Sequence, residues 1–558
     1  MDQRTTPGWI PDSLNSRGYK NLTDVLQRIC SDYRDRVAFT SFGRELSYAE
    51  LGEMSDAFAV YLQQETGLQP GDRIAIQLPN LNQYPVALFG ALKAGLIVVN
   101  TNPLYTPREL EHQFNDSGAK ALIVHKSMAH NVDKIIANTG IKHVFVTQVA
   151  DLHSPVKRVL INSVVKYLKK MEPAYNLPGA IEFRNAINSK LGQKPNIVER
   201  ESSDIAVLQY TGGTTGVSKG AMLSHANLIS NFLQGVNLIS GADHHWADKV
   251  VAPLPLYHIY AFTITMAVLE LGGNNLLIAN PRDIKGFVKE LAKHRISAFI
   301  GLNTLFVALC NNLDFSKVDF SGLKVTLSGG MALTFDAADT WKQVTGCSVL
   351  EAYGLTETSP AVAMNPPDDI RVGTIGLPVA ETEVKIIGTQ GQALAEGERG
   401  ELCVKGPQVM LGYWQHDKAT ASSFTDDGFF ITGDVAVWDQ DGYLKIVDRA
   451  KDMIIVSGFN VYPNEVEDVV TSHPQVMECA AVGEPDQRCG EVVKLFVVTK
   501  EDVSAEEIKA WCKERLTPYK VPKFIEFADE LPKSNVGKVL RRMLKTDAQS
   551  NAKAGNAA

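Results

Sequence analysis

Between Gly95 and His125 the chain reads "GLIVVNTNPLYTPRELEHQFNDSGAKALIVH". Two short apolar runs flank a segment that is marked at both ends. Thr106 suits an N-cap, Pro107 the first helical position, and Glu109 completes a capping box. Gly118 is placed to end the helix. Short apolar runs bounded by turn residues read as buried strands, and strand, capped helix, strand is the pattern of a βαβ unit in a mainly parallel sheet. "RIAIQLP" (73–79) and "HVFVTQ" (143–148) add strands to this unit, and "NNLLIA", "SAFIGL" and "LKVTLSGG" repeat the pattern over 270–330.

The texture changes after the turn cluster "NPPDD" near 365. Short strands with close turns, "EVKIIG", "GELCVKG" and "GYLKIVD", predict a small antiparallel barrel or sheet. After Asp448, "NEVEDVVTSH", "CAAVGEP", "VKLFVVTK" and a helix capped by Ser504 and Glu507 predict a small α+β unit. A chain of 558 residues accommodates about three or four such units.

Charge and cysteine usage exclude several classes. The net charge of −8 gives no global basic field for nucleic acid. Seven cysteines without a CxxC pair read as reduced thiols. No secretory leader, prenylation box or peroxisomal address is expected at the ends. Prolines, a histidine and a glutamate interrupt the most apolar stretch (250–273), which predicts a core or ligand tunnel rather than a membrane span.

The segment "YTGGTTGVSKGAML" (210–223) is rich in glycine, threonine and serine around one lysine. Glycines let successive N–H groups approach phosphate oxygens, hydroxyls add donors, and Lys219 adds a charge. It is not a Walker loop, because Val217 and Ser218 separate Gly216 from Lys219. The following "HANLISNFL" reads as a helix whose N-terminus would favour the same anion.

Five segments in order, "YTGGTTGVSKG", "EAYGLTET", "ITGDVAVWDQDGYLKIVDRAKD", "VSGFNVYPNEVE" and "PKSNVGKVLRR", resemble the signatures of adenylate-forming acyl-CoA synthetases. "NTNPLYTPRELEHQ" and "GPQVMLGYWQ" are closest to the bacterial long-chain fatty-acyl-CoA synthetases. The resemblance implies an α/β fold with a large N-terminal domain (1–448). That domain would hold two α/β sheet subdomains and a small β-barrel subdomain (about 365–447). A small mobile α+β lid (449–558) would carry the catalytic lysine.

It also implies ATP, Mg²⁺ and CoA, with a fatty acid activated first to an acyl adenylate and then to a thioester. Thr211, Gly212, Gly213, Thr214, Thr215, Gly216 and Lys219 would grip the β- and γ-phosphates. Glu357, with Thr211, would help hold Mg²⁺, and Thr356 would touch the α-phosphate. Gly329, Gly330, Tyr353 and Gly354 would meet adenine, and Asp434 and Arg449 the ribose. Lys538 would bridge carboxylate and α-phosphate, with Arg541, Arg542 and Lys545 solvated around it. His258 would lie beside the reacting carboxylate, Asp448 and Lys451 would form the hinge, and Ser457 and Gly458 would line the CoA path.

Tyr257, Phe262 and Gly354 are expected at the acyl pocket, Gly354 leaving room that tryptophan fills in acetyl-specific relatives. Medium-chain or aryl acids remain alternative substrates, and a non-catalytic acyl-nucleotide sensor an alternative class. The basic amphipathic segment 155–172 predicts either a surface helix packed by its apolar side on its own domain, or peripheral contact with the inner face of the cytoplasmic membrane. Nucleic acid is not expected as a partner, and a homodimer is left open.

Overall fold

The computed structural model describes residues 14–211, 218–240, 244–486, 488–534 and 537–545. The expected βαβ unit is present. The helix Pro107–Ser117 starts with the predicted capping box: Glu109 N–H donates to Thr106 Oγ1, and Thr106 N–H donates back to Glu109 Oε2 at 2.8 Å. Gly118 closes it with a left-handed φ of 61°. The flanking strands Ile97–Asn100 and Ala119–His125 lie on either side of Arg73–Gln77.

Four sheets organise the described residues. The first has seven strands. Its order is Ile181–Glu182, His143–Thr147, Ala119–His125, Arg73–Gln77, Ile97–Asn100, Ile205–Thr211 and Lys219–Ser224, parallel except for the last. The second has nine. A parallel centre runs from Val349–Gly354 through Val325–Gly329, Ala298–Gly301, Lys249–Ala252 and Asn274–Leu277 to Val37–Ser41, with antiparallel strands at both edges. The chain thus lays its first strands in the second sheet before building the first.

The third unit is an open antiparallel sheet of four strands, Glu383–Ile387, Gly400–Lys405, Phe430–Trp438 and Leu444–Arg449, rather than a closed barrel. Its apolar face, with Ile386, Leu402, Val404 and Ala436, is covered by Val362, Ala363 and Ile375, so it is buried without closure. The C-terminal sheet is built on the long hairpin Val476–Asp486/Gly490–Thr499, and its helix Ala505–Arg515 carries the predicted Ser504–Glu507 capping box.

The apolar periodicity of the helices buries aromatic rings between the layers. Trp341 is fully buried against Phe299, Phe306 and Phe315, with ring centroids 4.9, 4.7 and 5.5 Å away. Its indole N–H donates to Thr326 Oγ1 at 3.0 Å. This cluster holds the helix Phe335–Thr345 on the strand Val325–Gly329. Trp341→Ala is expected to cost about 3–5 kcal/mol. Trp341→Phe, which forfeits mainly the hydrogen bond, is expected to cost about 1 kcal/mol. Denaturant midpoints followed by far-ultraviolet circular dichroism check both values.

Candidate active site

A single cavity of about 2130 Å³ lies where the four sheets meet. The glycine- and threonine-rich segment joins two antiparallel strands on the edge of the first sheet, where Thr211 pairs with Lys219. Gly212, Gly213, Thr214, Thr215 and Gly216 lie outside the described residues. The helix His225–Ser240 does not open at this segment, because "KGAMLS" forms a strand and carries the helix start away. The anion grip therefore cannot use that helix's N-terminus.

The base of this segment is fastened from several sides. His112 Nε2 lies 2.9 Å from Ser218 O. Tyr210 OH donates to Asp116 at 2.5 Å. The stretch 411–414 pairs with the outer strand, through Leu411 N–H to Met222 O and Trp414 N–H to Gly220 O. Tyr413, to which sequence reading assigned no role, joins two predicted residues. Its ring sits 4.9 Å from Lys219 Nζ, and its hydroxyl donates to Glu357 Oε1 at 2.8 Å. "GPQVMLGYWQ" contained this signal only as a pattern, without a stated contact.

Glu357 and Thr356 stand in a single 3₁₀ turn after the strand Val349–Gly354. Among the described residues no group of three or more acidic, histidine or cysteine side chains forms a metal cluster. One carboxylate suits Mg²⁺ that arrives on a triphosphate, since this ion keeps phosphate and water oxygens as most of its ligands.

At the other end Asp434 and Arg449 face each other across adjacent strands, Arg449 Nε 3.0 Å from Asp434 Oδ1. Tyr353 donates its hydroxyl to Asp434 Oδ2 at 2.5 Å. Burial, then the Asp434 charge, pushes the Tyr353 phenol far above its ordinary range, so it remains a donor. Tyr353 thus orients the carboxylate in addition to presenting a ring to the cavity. Gly329 leaves the space in which the Tyr260 ring lies, and Gly330 turns away with φ 83°. Glu351, also unassigned from sequence, is buried on the cavity wall. It accepts from Leu333 N–H at 3.3 Å, and burial lifts its carboxyl to about 7.

His258 caps the helix Ile259–Glu270, its Nδ1 accepting the Tyr260 N–H at 3.3 Å. Burial, assisted by the Lys538 charge, lowers it to about 4. The ring is therefore neutral at neutral pH, and with Nδ1 accepting, Nε2 carries the proton. An uncharged arm of the cavity's lining comprises Phe232, Gly235, Ile264, Ala267, Val307 and Cys310. A side chain at Gly235 would meet nothing within 4 Å, so glycine keeps this arm open.

Tyr257 lines the cavity, but Phe262 does not. It projects from the opposite side of its helix into the core beside Phe39, Tyr84 and Phe89. Gly354 lines the cavity, but a Cβ there would stand 2.0 Å from Pro360 O, so close backbone packing requires glycine at this position. Glu270, at the far end of the helix, is bound by Tyr19 at 2.8 Å and Arg17 at 3.1 Å, outside the cavity.

Lys538 reaches the same cavity from the C-terminal sheet. Gly537, with φ 82°, presses so closely on the helix Asn303–Cys310 that a Cβ would lie 2.7 Å from Thr304 Oγ1. Lys538 is exposed, its side chain lining the cavity with protein crowded around it. Burial, then Arg449, Arg541 and Lys451, lowers it to about 8 against the opposing pull of Asp434.

Arg541 is not a solvated member of a basic run. It is mostly buried, bonds Glu467 at 2.7 Å and Asn464 at 2.8 Å, and lies 3.6 Å from Asp448. Asp448 is enclosed, accepting from Arg449 and Asn464 N–H, and burial raises it to about 6. Lys451 lies in the turn that follows and lines the cavity. Ser457 and Gly458, with φ 52° and 84°, make an exposed hairpin turn away from it.

An AMP-binding enzyme family model matches residues 26–414, and the model of that family's C-terminal domain matches 465–538. The long-chain-fatty-acid–CoA ligase of Escherichia coli O157:H7 is 52% identical, over 97% of each chain. The ATP-bound MatB of Rhodopseudomonas palustris superposes with a TM-score of 0.83 at 30% identity, over 94% of this chain and 99% of that one. The anthranilate–CoA ligase AuaEII with anthranoyl-AMP gives 0.86 at 26% identity, over 96% and 98%. The chain therefore belongs to the AMP-binding enzyme family, whose members form adenylates.

Proposed function

We propose that the chain is a long-chain-fatty-acid–CoA ligase. It attacks the α-phosphorus of ATP with a fatty-acid carboxylate, releases pyrophosphate, and transfers the acyl group from AMP to the CoA thiol. The observation that carries this reading is the union of a polar arm, ending at Asp434 and Arg449, with an uncharged arm through Gly235. Lys538 lies within electrostatic reach of His258 at the head of one and of Asp434 in the other.

In the first half-reaction two anions must meet. Lys538 neutralises the carboxylate and α-phosphate, and Lys219 the distal phosphates, in a site that excludes much of the water. His258 Nε2–H donates to the same oxygens. Asp434, already oriented by Tyr353 and Arg449, accepts from the ribose hydroxyls. Glu357 would hold Mg²⁺, which would supply further charge neutralisation on the phosphates.

The second half-reaction needs Lys538 to leave so that the thiol can enter. The domain that begins after Asp448 turns about Lys451 and brings Ser457 and Gly458 to the pantetheine path, a gating motion between two half-reactions. The segment 155–172 makes peripheral contact with the cytoplasmic face of the membrane that supplies the fatty acid.

Activity across a series of fatty acids tests the substrate. CoA-dependent AMP formation is expected to gain roughly fourfold in kcat/KM per added methylene until the arm is full. A maximum at acetate or an aryl acid overturns the assignment. Gly235→Phe is expected to move the optimum to shorter chains while leaving the KM for ATP unchanged.

Lys538→Ala is expected to slow adenylate formation by roughly a hundredfold or more. It should leave thioester formation from supplied acyl-AMP nearly intact, and equal losses in both steps refute the assignment. Because Lys538 loses its proton near pH 8 in the free enzyme, kcat/KM for adenylation should decline as pH rises through that value. Lys538→Arg, slower but permanently charged, should lack this alkaline limb.

A further inference from the structure

The helix Pro155–Ser163 and the π-helical turn Val164–Leu168 that extends it bury no residue. Their mounting is inverted relative to an ordinary surface helix, which turns its apolar stripe inward. The helix is tied to its domain by a polar side chain. Asn162 accepts from Ala150 N–H at 3.0 Å and donates to Asp151 Oδ1 at 3.1 Å. Arg158, Ile161 and Val165 share this half-buried side. The apolar row points outward: Val156 is 80%, Leu160 64%, Tyr167 70% and Leu168 74% exposed.

A second apolar group lies beside the start of this helix. Phe42 is 53% exposed at the tip of the hairpin Val37–Ser41/Arg44–Ser47, held there with φ 49°. Its carbonyl oxygen is 3.2 Å from His153 Nε2, and Arg44 Nε donates to Leu152 O at 3.0 Å. The hairpin tip is therefore bonded to the loop that leads into the helix.

A contiguous exposed patch of large apolar side chains marks an interaction surface. The charges around it choose the partner. Lys157 and Lys166 flank the apolar row on either side, Lys169 and Lys170 follow, and no acidic residue occurs from Ser154 to Met171. Lys166 Nζ lies 5.4 Å from the centroid of the Tyr167 ring. Apolar side chains edged by lysines, whose stems can lie along hydrocarbon while their ammonium groups stay wet, complement an anionic lipid surface. No described helix is long and apolar enough to cross a membrane, so the contact lies in the interface.

We propose that the outward face of residues 156–171, together with the Phe42 hairpin tip, docks the enzyme on a bilayer of anionic phospholipid. The proposal deepens the membrane contact of the preceding section and rests on the fatty-acid reading only for its purpose. The occupant itself follows from the exposed row and its charges.

Flotation of the full chain with vesicles tests it. Binding is expected to vesicles of equal parts phosphatidylcholine and phosphatidylglycerol, weakening as salt rises, with little binding to phosphatidylcholine alone. The double variant Leu160→Asp, Tyr167→Asp and the charge reversal Lys157→Glu, Lys166→Glu should each reduce binding roughly tenfold or more. Phe42→Ser should reduce it by a smaller factor. Activity toward detergent-solubilised fatty acid should not change in any of them, which separates failure of docking from failure of the ligase reading. Equal binding to neutral vesicles, or binding unchanged in the two double variants, overturns the proposal. So does wild-type self-association that Leu160→Asp, Tyr167→Asp abolishes in a protein that does not bind vesicles, since a second copy would then cover the face.

Discussion

The Lys538 ammonium stands where Arg449, Arg541 and Lys451 oppose it and Asp434 is the main countercharge. Burial and like charge both favour its neutral form, so the arrangement is costly until an anion arrives. In the proposed reaction a triphosphate and a carboxylate would supply that anion. Much of the surrounding structure serves to hold this unfavourable charge in place. Gly537 is flattened against Thr304, Arg541 is tied to Glu467 and Asn464, and Asp448 is enclosed by backbone donors.

The rest of the cavity is pre-oriented around the same point. Tyr353 and Arg449 fix both oxygens of Asp434, and Tyr413 couples Glu357 to Lys219. His258 is kept neutral partly by the lysine it faces, and as a neutral donor it adds no positive charge to the cluster. Groups fixed before the reaction need no reorganisation during it, and that is where such sites gain most of their rate. The apolar arm asks for a different property, open volume, and Gly235 supplies it by having no side chain.

Much of the framework was legible in the sequence. The capping residues Thr106, Pro107, Glu109 and Gly118 act within a few residues of one another, so local chemistry specifies them. Four strands of the first sheet and three of the second were marked by short apolar runs between turn residues. The open form of the third sheet was not, because closure depends on what covers its apolar face, and that cover comes from Val362 and Ala363 in another sheet. The helix after the glycine-rich segment was legible as a helix. Its distance from that segment depends on where the strand Lys219–Ser224 ends, which pairing with Ile205–Thr211 decides.

The sequence by itself determined which residue types are present and in what order: a glycine-rich grip, an acid after "YGLT", an aspartate in "TGD", a lysine after glycine. These are short patterns whose chemistry does not depend on distant neighbours. Only the tertiary structure decided which of them meet. It brought Lys538 into the cavity with His258 and turned Phe262 out of it. It removed Arg541 from solvent, and it set the apolar row of 156–171 facing outward by anchoring the helix through Asn162. The physical reason is common to all four. Periodicity states that a helix or strand has two faces, but which face is buried depends on what packs against it, and those partners lie far away along the chain.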